Sequence, residues 1–348
     1  MPLSLTDESY ACSTPDPAGA VEQAMGALCG GDDPLSAILR EHLESGGKRI
    51  RANLAFQTTT LLGGHIASAT LWAAACELLH NATLIHDDLQ DGDEVRRGQP
   101  TVWAKHGAEN AITAGDMMLM LPYLAINRVP VPAGTKALLH ECVARRAIET
   151  AIGQATELEM KRQARPTRRS YERSASGKTG QFFGLPVEGA MLIVGTEPDA
   201  ARLAGTTFEQ LGVFFQMLDD VVDLFGEKGR NEVGCDIREG KVSALVITHI
   251  ENCPSDADWL MSVLRTPREE TTLDQIEMVR QRLVAAGTLT DTLSRALALL
   301  EHVRSSTTVR LHPELNPVIE ATAARSLRSV AHLTNPQTNT HMEQRDAS

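Results

Sequence analysis

The chain reads as all-α, a single large bundle-like domain. Three observations predict this. Alanine and leucine are abundant, while β-branched alternating runs are scarce. Apolar residues recur with helical period along most of the chain, and no βαβ alternation or short repeat interrupts them. Forty-two per cent of the 348 residues are hydrophobic and 22% charged, enough for a large core without disulfide staples.

The elements follow in order. Residues 1–20 carry Ser, Thr, Pro and acid without periodicity and read as a flexible leader, lacking the basic and apolar regions of a secretory signal. Helical patterning is expected over 21–29, 34–44, 48–62, 67–91, 109–127, 133–163, 168–176, 178–194, 198–225, 237–250, 270–285, 289–304 and 315–333. The breaks fall at Gly63-Gly64, Pro130-Val131-Pro132, Arg165-Pro166, Gly195 and Pro254. No linker forces a split, so 21–334 is expected to be one domain, and 335–348 reads as a flexible polar tail.

The formal net charge is −12, which disfavours a nucleic-acid binder. A local basic cluster can still hold a polyanionic small molecule. The six cysteines (Cys12, Cys29, Cys76, Cys142, Cys235, Cys253) form no C-x-x-C pair and read as reduced thiols, mostly core filler, of a cytoplasmic protein. No apolar run reaches the ~18 residues of a membrane-spanning helix.

Two helical segments end in nearly the same string. LLHNATLIHDDLQD supplies Asp87, Asp88 and Asp91, and FFQMLDDVVD supplies Asp219, Asp220 and Asp223. At i and i+4 the outer carboxylates of each set differ by only ~40° around the helix and lie ~6 Å apart along it, so each pair can grip the same cation. Asp88 and Asp220 lie ~100° round and are weaker ligands. One such cluster could be a solvated helix end, but like charges at this spacing destabilise a helix, and both clusters follow apolar turns. All-oxygen ligands suit Mg²⁺, which keeps waters and shares a substrate phosphate.

Basic residues stand near the acids. Lys48 and Arg51 follow two glycines in SGGKRIRA; Arg96 and Arg97 follow the first acid cluster; Lys178-Thr179, Gln216 and Lys241 come later. Each alone would ordinarily complement a helix end. With the two acid clusters they describe a pocket for two polyphosphate groups, one held through metal and one by Arg and Lys directly. His80 lies two turns before Asp87 and is a candidate for the second phosphate. SGKTG is not a nucleotide-binding loop, because Glu172 stands where its first glycine is required.

GGKRIR, D-D-x-x-D with RRG after it, KT, and FQxxDDxxD with D-x-x-x-GK after it resemble, in this order from Gly46 to Lys241, the trans-isoprenyl diphosphate synthases of the polyprenyl synthetase family. The resemblance implies an all-α helical bundle around a deep central cavity, a homodimer, and three Mg²⁺ per active site held by Asp87, Asp91 and Asp219, with Asp88, Asp220 and Asp223 assisting. It implies Arg96, Lys178 and Lys241 for the allylic diphosphate, and Lys48, Arg51, His80 and Arg97 for isopentenyl diphosphate. Thr179, Gln216 and the Lys178 carbonyl would face the reacting carbons. Two departures stand out. The usual Pro after GGKRxR is Ala52, expected to be harmless, and Asn231 replaces a phosphate-binding Lys, a role for which Lys228 or Arg230 is at hand.

The implied reaction is a 1′-4 head-to-tail coupling giving an all-trans prenyl diphosphate. Before the first acid motif Ala82 and Thr83 are small, and no two-residue insertion splits the motif. This predicts a pocket open past fifteen carbons, giving C20 (geranylgeranyl diphosphate) or longer, with Leu79, Cys76 or residues 117–121 as floor. A C15 (farnesyl diphosphate) synthase is the alternative product class, and a non-catalytic subunit tuning a partner's product length is the alternative of another kind. A terpene cyclase is disfavoured, because the second element is another Asp cluster and RRG is present.

Overall fold

The computed structural model describes residues 17–226 and 233–333. Helices dominate: α1 (Pro17–Leu28), α2 (Pro34–Glu44), α3 (Ile50–Leu61), α4 (Ile66–Asp91), α5 (Val102–His106), α6 (Ala108–Arg128), α7 (Ala133–Arg162), α8 (Arg168–Ala175), α9 (Gln181–Ile193), α10 (Pro198–Phe225), α11 (Cys235–Arg238), α12 (Ala244–Asn252), α13 (Ala257–Leu264), α14 (Leu273–Ala285), α15 (Thr288–Arg304), α16 (Thr307–Leu311) and α17 (Asn316–Arg328). One buried apolar cluster runs from Val21 in α1 to Val330 beyond α17. The first helix begins at Pro17, inside the expected leader, and residues 1–16 and 334–348 lie outside the described residues.

Most of the expected helices are present, and the differences have local causes. The 237–250 segment is two helices, with Gly240 (φ 66°) in the break. Residues 257–264, left unassigned by periodicity, form α13. A two-residue ladder, β1 (Val95–Arg96) against β2 (Gln99–Pro100), follows α4. Its turn residues Arg97 (φ 54°) and Gly98 (φ 77°) are both left-handed, as a tight hairpin requires.

Helix α4 is the central rod. Trp72 is fully buried, its Nε1 donates to the Pro186 carbonyl at 2.9 Å, and its ring packs on Gly189, where a Cβ would lie 1.9 Å from it. The rod stops at left-handed Gly92, directly after Asp91. Helices α8 and α9 are joined by a π turn, Ser176–Gly180. There α7 crosses backbone on backbone: a Cβ on Gly153 would lie 2.6 Å from the Cα of Gly177. The crossing brings Lys178, inside the π turn, against Glu157 of α7 at 2.9 Å.

Candidate active site

A cleft of about 620 Å³ opens between α4, α6, α7, the π turn and α10. Its volume lies in the ~300–1,000 Å³ range of small-molecule sites. Asp87 and Asp91 at the end of α4, and Asp219 and Asp220 near the end of α10, line it together with Arg51, His80, Arg96, Lys178, Thr179, Gln216 and Lys241. The two acid strings, more than a hundred residues apart in sequence, therefore share one opening. Asp88, Asp223, Arg97 and Lys48 are not among its lining residues. Lys48 is exposed on the loop before α3, and Lys228, Arg230 and Asn231 lie outside the described residues.

The second acid of each string is held by protein partners. Buried Asp88 accepts from Arg96 Nε, although its other oxygen is a buried orphan. Burial raises its pKa to about 6 against the pull of Arg96. Asp220 accepts from the Gln216 side-chain amide at 2.8 Å, the Tyr171 hydroxyl at 2.8 Å and the Ala244 N–H at 2.7 Å. Burial nevertheless lifts it to about 7. Asp223 accepts from the Asp236 N–H at 3.0 Å, and burial with Asp223 beside it drives the Asp236 carboxyl well up.

Asp87 and Asp91 face the cleft with oxygen donors only. Burial raises the pKa of Asp87, and neighbouring Asp91 adds to the rise while Lys178 opposes it. This crowding of like charge is what a divalent cation relieves. Among the described residues no three acidic, His or Cys side chains form a ready-made metal cage. The donor set suits a hard ion completed by waters and substrate oxygens.

The cations are held in their charged forms. Burial works against Lys178, but Glu157 and Asp87 outweigh it and its pKa is raised. Lys241 pairs with Glu239 and lies 3.8 Å from Asp236, which together raise it well above its usual value despite burial. A second basic group surrounds His80, whose ring meets Phe182 edge-on at 5.1 Å. Burial, with Arg51 and Arg97 near, holds His80 well below the usual imidazole range. Among the described residues, its Nδ1 and the Nε of Arg51 are buried without hydrogen-bond partners. Arg97 bonds the Gly46 carbonyl, and its guanidinium lies where a Cβ on Gly47 would stand. Beneath it, buried Glu77 of α4 accepts the Ala52 N–H at 3.2 Å and so caps α3. A proline at 52 could not donate that bond.

Sequence reasoning missed several residues. Glu157 is invisible because its partner Lys178 is set by a helix crossing. Tyr171 stands seven residues before Lys178, two turns up the same helix, which was its one readable signal. Buried His42, whose Nε2 is an orphan, sits beside Arg96 and Arg97; burial and those two charges bring its pKa down to about 4.

Apolar or small residues also line the cleft: Leu79, Thr83, Leu119, Ala147, Ala151 and Leu158. Of the two small residues before the acid motif, Thr83 faces the cleft, while Ala82 is fully buried outside its lining. The helical period explains the split, since the adjacent residue is turned ~100° away. Leu79 and Leu119 reach the cleft, whereas Cys76 is core.

Fold and site thus define an all-helical protein whose cleft is framed by two acidic helix ends and several cations. Known proteins agree. The chain is 32% identical over 254 residues to the short chain isoprenyl diphosphate synthase of Methanocaldococcus jannaschii, covering 72% of this chain and 77% of that one. It is 34% identical to the geranylgeranyl diphosphate synthase of Mycobacterium tuberculosis over 70% of this chain and 69% of the relative. Among solved structures, the geranylgeranyl pyrophosphate synthetase of Pyrococcus horikoshii superposes with a TM-score of 0.77 at 28% identity, over 88% of this chain and 95% of that one. The polyprenyl synthetase model matches residues 32–282, and the chain belongs to that family. It is a trans-prenyltransferase. Members of the family bind an allylic diphosphate through divalent metal. Among the described residues no single helix is long and apolar enough to cross a membrane.

Proposed function

We propose that the protein condenses isopentenyl diphosphate head-to-tail with an allylic diphosphate and releases an all-trans product of twenty carbons or more. The observation that carries this reading is the make-up of the cleft: acids from two helix ends and several cations share one opening with small and apolar residues. Geranylgeranyl diphosphate synthases recur among the relatives, which supports C20.

Asp87, Asp91 and Asp219 are the residues that would hold Mg²⁺, three ions by family resemblance, with Asp88, Asp220 and Asp223 supporting. The bound metal supplies electrostatic stabilisation of the departing diphosphate. Arg96, Lys178 and Lys241 bind the allylic diphosphate directly. Lys48, Arg51, His80 and Arg97 bind the second diphosphate, and orphaned Arg51 Nε and His80 Nδ1 support that placement. The allylic C–O bond breaks with its electron pair leaving on diphosphate. The isopentenyl double bond then joins the allylic carbon, and a proton passes to the released diphosphate. Thr179, Gln216 and the Lys178 carbonyl offer oxygen dipoles to the transient cation, while Leu79 and Leu119 exclude water from the chain.

The working unit is a homodimer in the cytoplasm. Support for the dimer comes from exposed apolar residues spaced at helical period on α6, Ile112, Met120 and Leu124, with Ile148 on α7. The test is mass analysis of products from isopentenyl diphosphate with C5, C10 and C15 primers. Elongation of the C15 primer is expected. A C15 end product would make the enzyme a farnesyl diphosphate synthase, and no turnover by the purified chain would make it a non-catalytic subunit.

A further inference from the structure

One hydrogen-bonded chain in the site has a direction, and its direction has a chemical consequence. Thr179 Oγ1 lies 2.6 Å from Gln216 Oε1, Gln216 Nε2 lies 2.8 Å from Asp220 Oδ1, and the Tyr171 hydroxyl lies 2.8 Å from Asp220 Oδ2. The Ala244 N–H, at the start of α12, reaches the same Oδ2 at 2.7 Å. Asp220 is the acceptor of this cluster: its Oδ2 takes the Tyr171 hydroxyl and the Ala244 N–H, its Oδ1 takes Gln216 Nε2, and the end of the Gln216 amide that faces it is the NH₂ group. The other end is then the carbonyl oxygen, and the only proton between it and Thr179 is the threonine hydroxyl. Thr179 spends that proton on Gln216, and what remains for the cleft is a pair of oxygen lone pairs.

The sign matters. An oxygen presenting lone pairs stabilises a positive carbon, whereas a hydroxyl presenting its proton repels one. Were the amide turned over, Gln216 would donate to Thr179 and free the hydroxyl proton to point into the cleft. Nothing on Thr179 or Gln216 themselves fixes the choice, because both directions satisfy the pair equally. The choice is made one bond further out, where three donors from α8, α10 and α12 converge on Asp220. Tyr171 and Asp220 are largely buried, at 4% and 5% exposure.

We infer that Tyr171 and Asp220 are positioning residues that lock the Gln216 amide in one sense and so aim the lone pairs of Thr179 at the developing allylic cation. Neither needs to touch substrate. Asp220 serves here as an anchor whose oxygens are occupied by protein donors, a different task from gripping a metal ion. The inference rests on the prenyl-transfer reading above.

A double-mutant cycle on the full-length protein tests it, with kcat, both KM values and the Mg²⁺ half-saturation measured for the wild type, Tyr171→Phe, Thr179→Val and the double variant. Tyr171→Phe keeps the ring and removes one donor. It is expected to lower kcat about tenfold, with both KM values and the Mg²⁺ half-saturation within about twofold. In the Thr179→Val background the same change is expected to cost less than about twofold, because the group it acts through is gone. Asp220→Asn, which lets the amide turn over, should show the same dependence on Thr179. Equal costs in both backgrounds, or a loss confined to KM or to the Mg²⁺ requirement, overturns the inference. Wild-type turnover checks the underlying reading separately: its absence overturns both, and its presence with additive costs overturns only this one.

Discussion

Thr83→Phe should shorten the product. Thr83 lies one turn before Asp87 on α4 and lines the cleft, with its hydroxyl donating to the His80 carbonyl at 2.8 Å. A phenyl ring needs on the order of 150 Å³, the size of a cavity that takes up benzene. That is roughly a quarter of the 620 Å³ cleft. The ring enters space reserved for the growing chain, so overpacking is small; losing the threonine hydrogen bond costs about 1 kcal/mol, since the His80 carbonyl keeps its helical partner. Products from a C5 or C10 primer, resolved by mass, should end at C15 or shorter, and kcat/KM with a C15 primer should fall at least about a hundredfold (~2.7 kcal/mol). Turnover of the C5 primer should stay within about fivefold. Ala82→Phe is the control: Ala82 is packed in the core, so a ring there should destabilise the fold by ~1–3 kcal/mol. A Thr83→Phe enzyme that still makes the wild-type product would refute the placement of the chain along α4.

Three further predictions follow. Asp87→Ala and Asp219→Ala should each lower kcat by at least about a thousandfold, and chelation should abolish activity that added Mg²⁺ restores; unchanged turnover in either variant would contradict the metal assignment. Glu188 pairs with Arg145 and lies 2.8 Å from buried Arg146; burial opposes its charge, but the two arginines prevail and its pKa is lowered. Its contribution is therefore full above the unfolded value of about 4.3 and is lost as pH falls through the depressed folded value. Glu188→Ala should cost ~3 kcal/mol in urea unfolding at pH 7 and flatten the acid limb of the stability curve. Gly189→Ala places a Cβ 1.9 Å from the Trp72 ring and should lower the melting temperature, with a red-shifted tryptophan emission as the rod is displaced.

The helices were legible because each carries its own period and its own stop: Gly92 after Asp91, Gly195 after α9, Pro254 after α12. The acid strings and their basic neighbours were legible because their spacing is local. What lies across helices was not. The grip of Glu157 on Lys178 depends on Gly153 meeting Gly177, a contact with no sequence period. The engagement of Asp88 by Arg96 depends on a hairpin only two residues deep on each side, too short for alternation to register. Ala82 and Thr83 looked equivalent in sequence because choosing between them requires the azimuth of α4 about its own axis. The bond from Tyr171 to Asp220 is likewise made across helices, from α8 to α10.

The π turn at Ser176–Gly180 acts as a phase offset between two halves of one rod. Tyr171 on one side and Gln181 on the other each report to a different neighbour, the former to Asp220 and the latter to buried Arg146 at 2.7 Å. Deleting a single residue inside the turn would let the helix run regularly, at a gain in local geometry, yet rotate everything beyond it by ~100°. Both anchors cannot then be met at once. This stretch should therefore accept exchanges of residue type far more readily than any change in its count, and drift among relatives should respect that length.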